Sequence, residues 1–267
     1  PMTAAPATTL TSARPRTAAA PSAALRTVRY ALHTTWMTVT NVMFMLFTIA
    51  MPVGMYLLFG MMFGEQGGGD ARGMIMVNMA AYGGLGAAVT AGTQIQEDQR
   101  NGFLRQLVVA GLSPRSFLLG SVMAASAVIA PALIAVGIAG ILSGVEVGPV
   151  AFLATIAVLW LGLLPTILIG IVLGMVLRGG TAMAGGVITM MAMAIFGGLW
   201  MPLETFPDWM QQIGHAIPTY WISRLGIWSL QGGELPVTGL LVIGAWTLVL
   251  GVLCALSLRR AVGLKRR

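Results

Sequence analysis

The sequence predicts an all-α integral membrane protein with six transmembrane helices and both ends on the same side of the bilayer. Three observations carry this. Of 267 residues, 57% are hydrophobic and 9% are charged, whereas a soluble domain carries about 25% charged residues. The apolar residues come in blocks long enough to cross hydrocarbon roughly 30 Å thick, which takes about 20 residues of helix. The charges between the blocks alternate in sign from one side to the other.

The elements follow in order. Residues 1–22 are rich in Ala, Thr, Pro, Ser and Arg without an apolar run, which predicts a disordered tail and, lacking a hydrophobic core behind a charged start, no secretory signal. From residue 23 to 39, Leu25, Val28, Leu32 and Trp36 recur at helical spacing beside Arg26 and Arg29. Such a helix lies in the interface with its tryptophan at headgroup level. Spans are then expected at 41–63, 73–94, 116–142, 150–177, 181–201 and 237–258, none containing Lys, Arg, Asp or Glu. Pro52 should kink the first. Small residues recur four apart at Gly60 and Gly64, at Gly84, Ala88 and Gly92, and at Gly170 and Gly174, a spacing that lets helices approach closely in lipid. Packing within one bundle is favoured over a dimer face.

With residue 1 on the cytoplasmic side, every basic residue except Arg72 and Arg224 falls inside, while every acid except Glu97 and Asp98 falls outside. Cytoplasmic loops carry the Lys and Arg excess, so both termini are placed in the cytoplasm. The net charge of +7 is thereby assigned to topology and lipid headgroups rather than to nucleic acid. Fourteen Arg against one Lys fits a bacterial chain from a GC-rich genome. Cys254 lies inside the last block and reads as a small packing residue.

The polar inventory excludes several chemistries. His33 and His215 fall on opposite sides of the membrane, and neither a zinc H-E-x-x-H motif nor a G-x-S-x-G elbow is present. A phosphate-binding loop needs Gly-Lys followed by Ser or Thr, and the single lysine, Lys265, follows Leu264. Carriers driven by protons keep ionisable groups within their spans; these spans have none, so the driving energy is expected from another subunit.

Two segments stand out. Between spans two and three, 96–115 is longer than a turn requires. Phe103, Leu104, Leu107 and Val108 share a helical face against Arg100, Asn101 and Arg105. Gly111 can end that helix, and Ser113 with Pro114 can start the next. The amphipathic turn suits either a groove on a cytoplasmic partner or the lipid surface. Before span six, Phe206, Trp209, Met210, Ile213 and Ile217 fall at helical spacing, bounded by Pro202, Pro207 and Pro218. These predict short helices in the outer interface, where aromatic residues anchor. Along span two, Asn78, Tyr82, Thr90 and Gln94 share one stripe and are candidate lining for a path, with helix packing as the competing role.

The run Glu97-x-x-x-Asn101-Gly102-x-Leu104-Arg105-x-Leu107, followed by Leu112-Ser113-Pro114-Arg115, resembles the coupling segment of type-2 ATP-binding-cassette exporter permeases. The stretch from Gly197-Gly198-Leu199-Trp200-Met201-Pro202 through Phe206-Pro207-Asp208-Trp209 to Ile217-Pro218-Thr219-Tyr220-Trp221 is similar to that family's external re-entrant segment. Phe103 stands where the family commonly has Thr, and Ala110 where it commonly has Pro. The resemblance covers residue 23 to the end. It implies a six-span permease with a coupling helix at Glu97, Asp98, Arg100, Asn101, Gly102, Phe103, Leu104, Arg105 and Leu107. It also implies an external gate at Pro202, Phe206, Pro207, Trp209, Pro218 and Tyr220. Its partners would be a second permease and a nucleotide-binding ATPase subunit, which holds the ATP and Mg; this chain itself would bind no cofactor. A membrane scaffold or a lipid-modifying membrane enzyme are the competing classes.

Overall fold

The computed structural model describes residues 22–64, 68–102, 106–107, 109, 112–177 and 180–263. Among these the regular structure is helical, with no strand. In hydrocarbon no water satisfies a backbone N–H or C=O, so each segment must close its hydrogen bonds on itself. Apart from Ser22, the expected tail lies outside the described residues. Five helices are long and apolar enough to cross a membrane, with windows at Val42–Phe63, Asp70–Asp98, Leu119–Leu142, Pro149–Val176 and Val237–Leu256.

Helix α1 (Ala23–Val39) starts at Ser22, whose hydroxyl accepts from the Leu25 N–H at 3.3 Å. Leu25, Leu32 and Trp36 face outward. Its inner side is fixed to α5 (Pro114–Leu142), where Tyr30 tilts against Phe117 with ring centroids 5.6 Å apart and pairs with the Ser121 hydroxyl at 3.2 Å. Gly120 admits the ring: a Cβ there would lie 2.7 Å from Tyr30 Cδ1.

The first span is built from α2 (Val42–Met45), a π-helical turn (Leu46–Ala50) and α3 (Met51–Phe63). Pro52 carries no N–H for the carbonyl one turn earlier, and its ring pushes that carbonyl away. The irregularity expected at Pro52 is therefore found just before it, where the wider π turn absorbs the mismatch.

Helix α4 (Gly68–Arg100) is the axis of the molecule and packs most heavily on α6 (Pro149–Val176) and α5. Two-thirds of its span is buried, 67%, against 11% for the first span and 17% for the last. The first and last spans thus lie on the outside of this chain's bundle. The α4–α6 contact depends on glycine. A Cβ on Gly92 would stand 2.8 Å from the Gly170 Cα and closer still to the Ile167 carbonyl oxygen, and one on Gly174 would meet the Gln96 Cβ at 2.6 Å. The small-residue spacing at Gly170 and Gly174 thus serves packing within the bundle. At Gly60 a Cβ would meet nothing within 4 Å.

The fifth apolar block departs from its expected length. Helix α7 (Gly180–Phe196) has 17 residues, about 25 Å at 1.5 Å per residue, so it is shorter than the five span candidates, whereas the sequence suggested a span over 181–201. It ends in a Schellman turn: Gly198 takes φ +69°, the Leu199 N–H bonds the Ala194 carbonyl at 2.9 Å, and the Gly198 N–H bonds that of Ile195 at 3.1 Å.

A 3-10 turn (Leu203–Thr205), α8 (Asp208–Ala216) and α9 (Pro218–Gln231) follow. Helix α9 begins against Met193, to whose carbonyl Thr219 donates at 2.7 Å, and Ile222 packs on Gly162, mid-way along α6. It finishes at the start of α4, where Gln231 donates to the Asp70 carbonyl at 3.1 Å. The chain therefore dips into the bundle and climbs out again before α10 (Val237–Gly263). We term this the hairpin end; the end where α4 stops and α5 starts is the loop end.

Candidate translocation path and coupling end

The four polar positions of α4 do not form one continuous lining. Asn78 lies in a cavity of about 370 Å³ near the hairpin end, between α3, α4, the turn after α7, and α9. Its Oδ1 is hydrogen-bonded to the Ser223 hydroxyl, a partner on α9 that the sequence reading missed. Thr219, Ser223 and Gly226 recur on one face of α9, and that small and polar stripe on an apolar helix was the available signal. Pro202 and Tyr220 also line this cavity, as do Trp200, Glu204 and Arg224. The Arg224 guanidinium sits 5.8 Å from the centre of the Tyr220 ring.

Mid-way along α4, Tyr82 is buried, edge-on to Trp200 with ring centroids 5.6 Å apart. Both the Tyr82 hydroxyl and the Trp200 indole N–H are buried without a hydrogen-bond partner among the described residues. A buried donor left unmade costs roughly 1–3 kcal/mol. Tyr82→Phe is therefore expected to raise the thermal unfolding midpoint of the detergent-solubilised protein, because it removes the unsatisfied group and keeps the ring. A lowered midpoint would show that the hydroxyl has a partner.

Thr90 and Gln94 line a second cavity of about 360 Å³ at the loop end, between α1, α4 and α5. Its wall mixes polar groups from Tyr30, Thr34, Asn41, Ser121 and Asp98 with apolar ones such as Phe44, Ile95 and Val128, and Gln94 donates to the Asp98 carboxylate at 3.1 Å. The polar positions thus fall in two cavities, with the buried Tyr82–Trp200 pair at the level of α4 between them.

Of the other expected gate residues, Pro218 is buried as the first residue of α9, while Pro207 and Trp209 are exposed. Trp209 and Ile213 give α8 an apolar outer face, as an interfacial anchor requires. Phe206 is half-buried and its carbonyl accepts from Gln211 at 2.8 Å. The corner between α8 and α9 is held by two indoles not singled out from sequence. Trp221 donates to the His215 carbonyl at 2.7 Å and Trp246 to the Ala216 carbonyl at 2.9 Å, satisfying carbonyls that a helix end leaves open.

At the loop end, α4 continues through Glu97 and Asp98 to Arg100, so these three residues belong to the span helix itself. Asn101 and Gly102 form a turn, with Gly102 at φ +79°. The Gln106 N–H returns to the Gly102 carbonyl at 3.2 Å, and the Leu112 N–H to that of Leu107 at 2.9 Å. Phe103, Leu104 and Arg105 lie outside the described residues. Ser113 caps α5 as expected, accepting from the Ser116 N–H at 3.1 Å, with Pro114 in the first turn.

The Arg100 guanidinium donates to the carbonyls of Leu177 and, at 2.8 Å, Met175. Arg100 thus closes the open end of α6, where a cation is also favoured by the helix dipole. The Glu97 carboxylate makes no hydrogen bond or ion pair with another described residue, and the residue is half-buried at the same end.

Residues 28–229 match the family described as ABC-2 type transporter. The chain belongs to that family. It is also 24% identical over 226 residues to the Bacillus subtilis (strain 168) protein named "Putative transport permease YvfS", an alignment that covers 82% of this chain and 91% of that protein. As an ABC-2 permease, the chain is a multi-pass membrane subunit of an ABC transporter, and its family implies an ATP-binding partner subunit.

Proposed function

We propose that this ABC-2 permease is one half of an exporter in a bacterial cytoplasmic membrane. Two such halves, alike or different, would enclose the pathway, and separate subunits would hydrolyse ATP with Mg. The substrate is amphipathic or hydrophobic: a drug, a lipid or a lipid-linked glycan. In this reading both termini and the loop end face the cytoplasm, as the Lys and Arg distribution requires, and the hairpin end faces out as the gate.

One observation carries the reading: two cavities lie along one helix, one richer in polar groups at the loop end and a more apolar one at the hairpin end, with the buried Tyr82–Trp200 pair between their levels. A path that opens first to one side and then to the other needs this division. The absence of Lys, Arg, Asp and Glu from the span interiors suits a cargo that lipid already tolerates, and it leaves the work to an ATPase.

The test is purification of the tagged chain from its host in mild detergent, with mass spectrometry of what accompanies it. The expected companion is a stoichiometric protein with a phosphate-binding Gly-Lys-Ser or Gly-Lys-Thr loop. Vesicles holding the complex should then move an amphipathic substrate against its gradient only with ATP inside the compartment facing the loop end. A chain that purifies alone under several detergents would support a scaffold or regulatory role instead.

A further inference from the structure

The apolar cavity at the hairpin end has features that a generic greasy hole lacks. Its walls are aromatic and aliphatic, including Phe59, Phe63, Met74, Ile75, Leu199 and Trp200, and its volume of about 370 Å³ lies within the range of sites that hold small ligands. Three polar groups reach it. The Asn78 Oδ1 accepts from the Ser223 hydroxyl, while its Nδ2 has no hydrogen bond among the described residues and is not buried away from solvent, so the amide presents a free donor. Arg224 is exposed, lies over the Tyr220 ring, and has no carboxylate partner among the described residues. Glu204, also exposed, forms no ion pair with it. The lining therefore offers, around one apolar chamber, a neutral donor, a cation and an anion that are not spent on each other.

We propose that this cavity is a binding site for a single glycerophospholipid of the ethanolamine class, with an acyl chain in the chamber. The ester carbonyl accepts from Asn78, the phosphate from Arg224, and the primary ammonium donates to Glu204. The chemistry selects this occupant over others. An isolated phosphate would leave the apolar walls unfilled, and a fatty acid would give Glu204 no partner. A quaternary ammonium offers the carboxylate no hydrogen bond, so choline lipids bind less well. Arginine is the side chain suited to forked recognition of phosphate, and its long stem lets the cation reach the interface from a helix inside the bilayer. The site lies within one chain, in the cavity that the proposed path uses at the hairpin end; it rests on that reading for its place, and it does not require the bound phospholipid to be the cargo.

The test uses the full chain in phosphatidylcholine vesicles containing a phosphatidylethanolamine with a photoactivatable diazirine in its acyl chain. After irradiation, adducts are mapped by peptide mass spectrometry. Adducts are expected to concentrate on Phe59, Met74, Ile75 and Trp200 over the lipid-facing surface of α10, and excess unlabelled phosphatidylethanolamine should remove the cavity adducts alone. Arg224→Gln should weaken that competition about tenfold, the scale of one charge-assisted hydrogen bond, and Arg224→Lys should restore part of it. Ile75→Trp, which fills the chamber, should abolish the cavity adducts while leaving those on α10. Adducts spread evenly over α10 and the cavity would overturn the proposal, since the lipid would then be solvent only. Equal competition by a fatty-acid methyl ester would overturn the headgroup assignment. Absence of cavity adducts beside normal labelling of α10 would mean that protein, such as a second copy of the chain, fills the space.

Discussion

Gly92→Leu is expected to prevent the accumulation of folded protein, the largest stability effect in the molecule. Even one added carbon would stand 2.8 Å from the Gly170 Cα and press on the Ile167 carbonyl oxygen, both backbone atoms of α6 that have no rotamer to change. Gly92→Ala alone should cost about 1–3 kcal/mol, the usual scale of overpacking. The leucine cannot be accommodated unless the two helices separate, and α4 and α6 form the most extensive contact in the fold. Fluorescence-detected size exclusion in mild detergent should show a monodisperse peak for the parent, a peak with a lowered melting midpoint for the alanine variant, and aggregate for the leucine variant. Gly54→Ala is the control. A Cβ there meets nothing within 4 Å, and alanine is the better helix former, so that variant should be unchanged or slightly more stable. Normal folding of Gly92→Leu would mean that α4 and α6 are not in backbone contact in the membrane.

The features legible in the sequence were those set by local chemistry or by bulk hydropathy. The start of α5 could be read from Ser113 and Pro114 because a cap is a contact over three residues. The short helices α8 and α9 could be read from Pro207 and Pro218, which fix where a helix can begin. The end of the fifth block could not. Hydropathy sees an unbroken apolar run through Met201, whereas the chain turns at Gly198 because glycine alone adopts a positive φ there without strain. The four polar positions of α4 were harder to place. At about 100° per residue, Asn78 and Gln94 stand roughly 160° apart around the helix, and periodicity says nothing of what stands against each level of it. Trp200 closes the middle, α9 meets the upper part, and α1 meets the lower. The Asn78–Ser223 pair joins residues 145 positions apart, and only the fold could reveal it. The resemblance singles out Arg100 for a contact with a partner subunit, and its hydrogen bonds within this chain go to carbonyls, which every residue carries and no motif distinguishes.

That distinction between Arg100 and Glu97 leads to the largest functional effect we expect. At the end of α4 the arginine is committed internally, tying α4 to the end of α6. The carboxylate of Glu97, one turn of helix away, has no partner within the described chain. If the loop end receives the stroke of an ATPase subunit, Glu97 is the charge available to meet it, and the Arg100 latch passes the displacement into the α4–α6 pair as one body. Glu97→Arg should therefore lower ATP-dependent transport tenfold or more, since setting like charges against each other across an interface costs several kcal/mol. Membrane insertion and the melting midpoint should stay at parental values, because no internal bond is lost. Arg100→Ala should behave differently. It opens the carbonyls of Met175 and Leu177, so the melting midpoint should fall, while the ATPase subunit still co-purifies. Measuring transport, ATPase co-purification and melting on both variants separates docking from transmission. Parental transport by Glu97→Arg would remove this residue from the docking surface and leave the segment beyond Gly102 to make the contact.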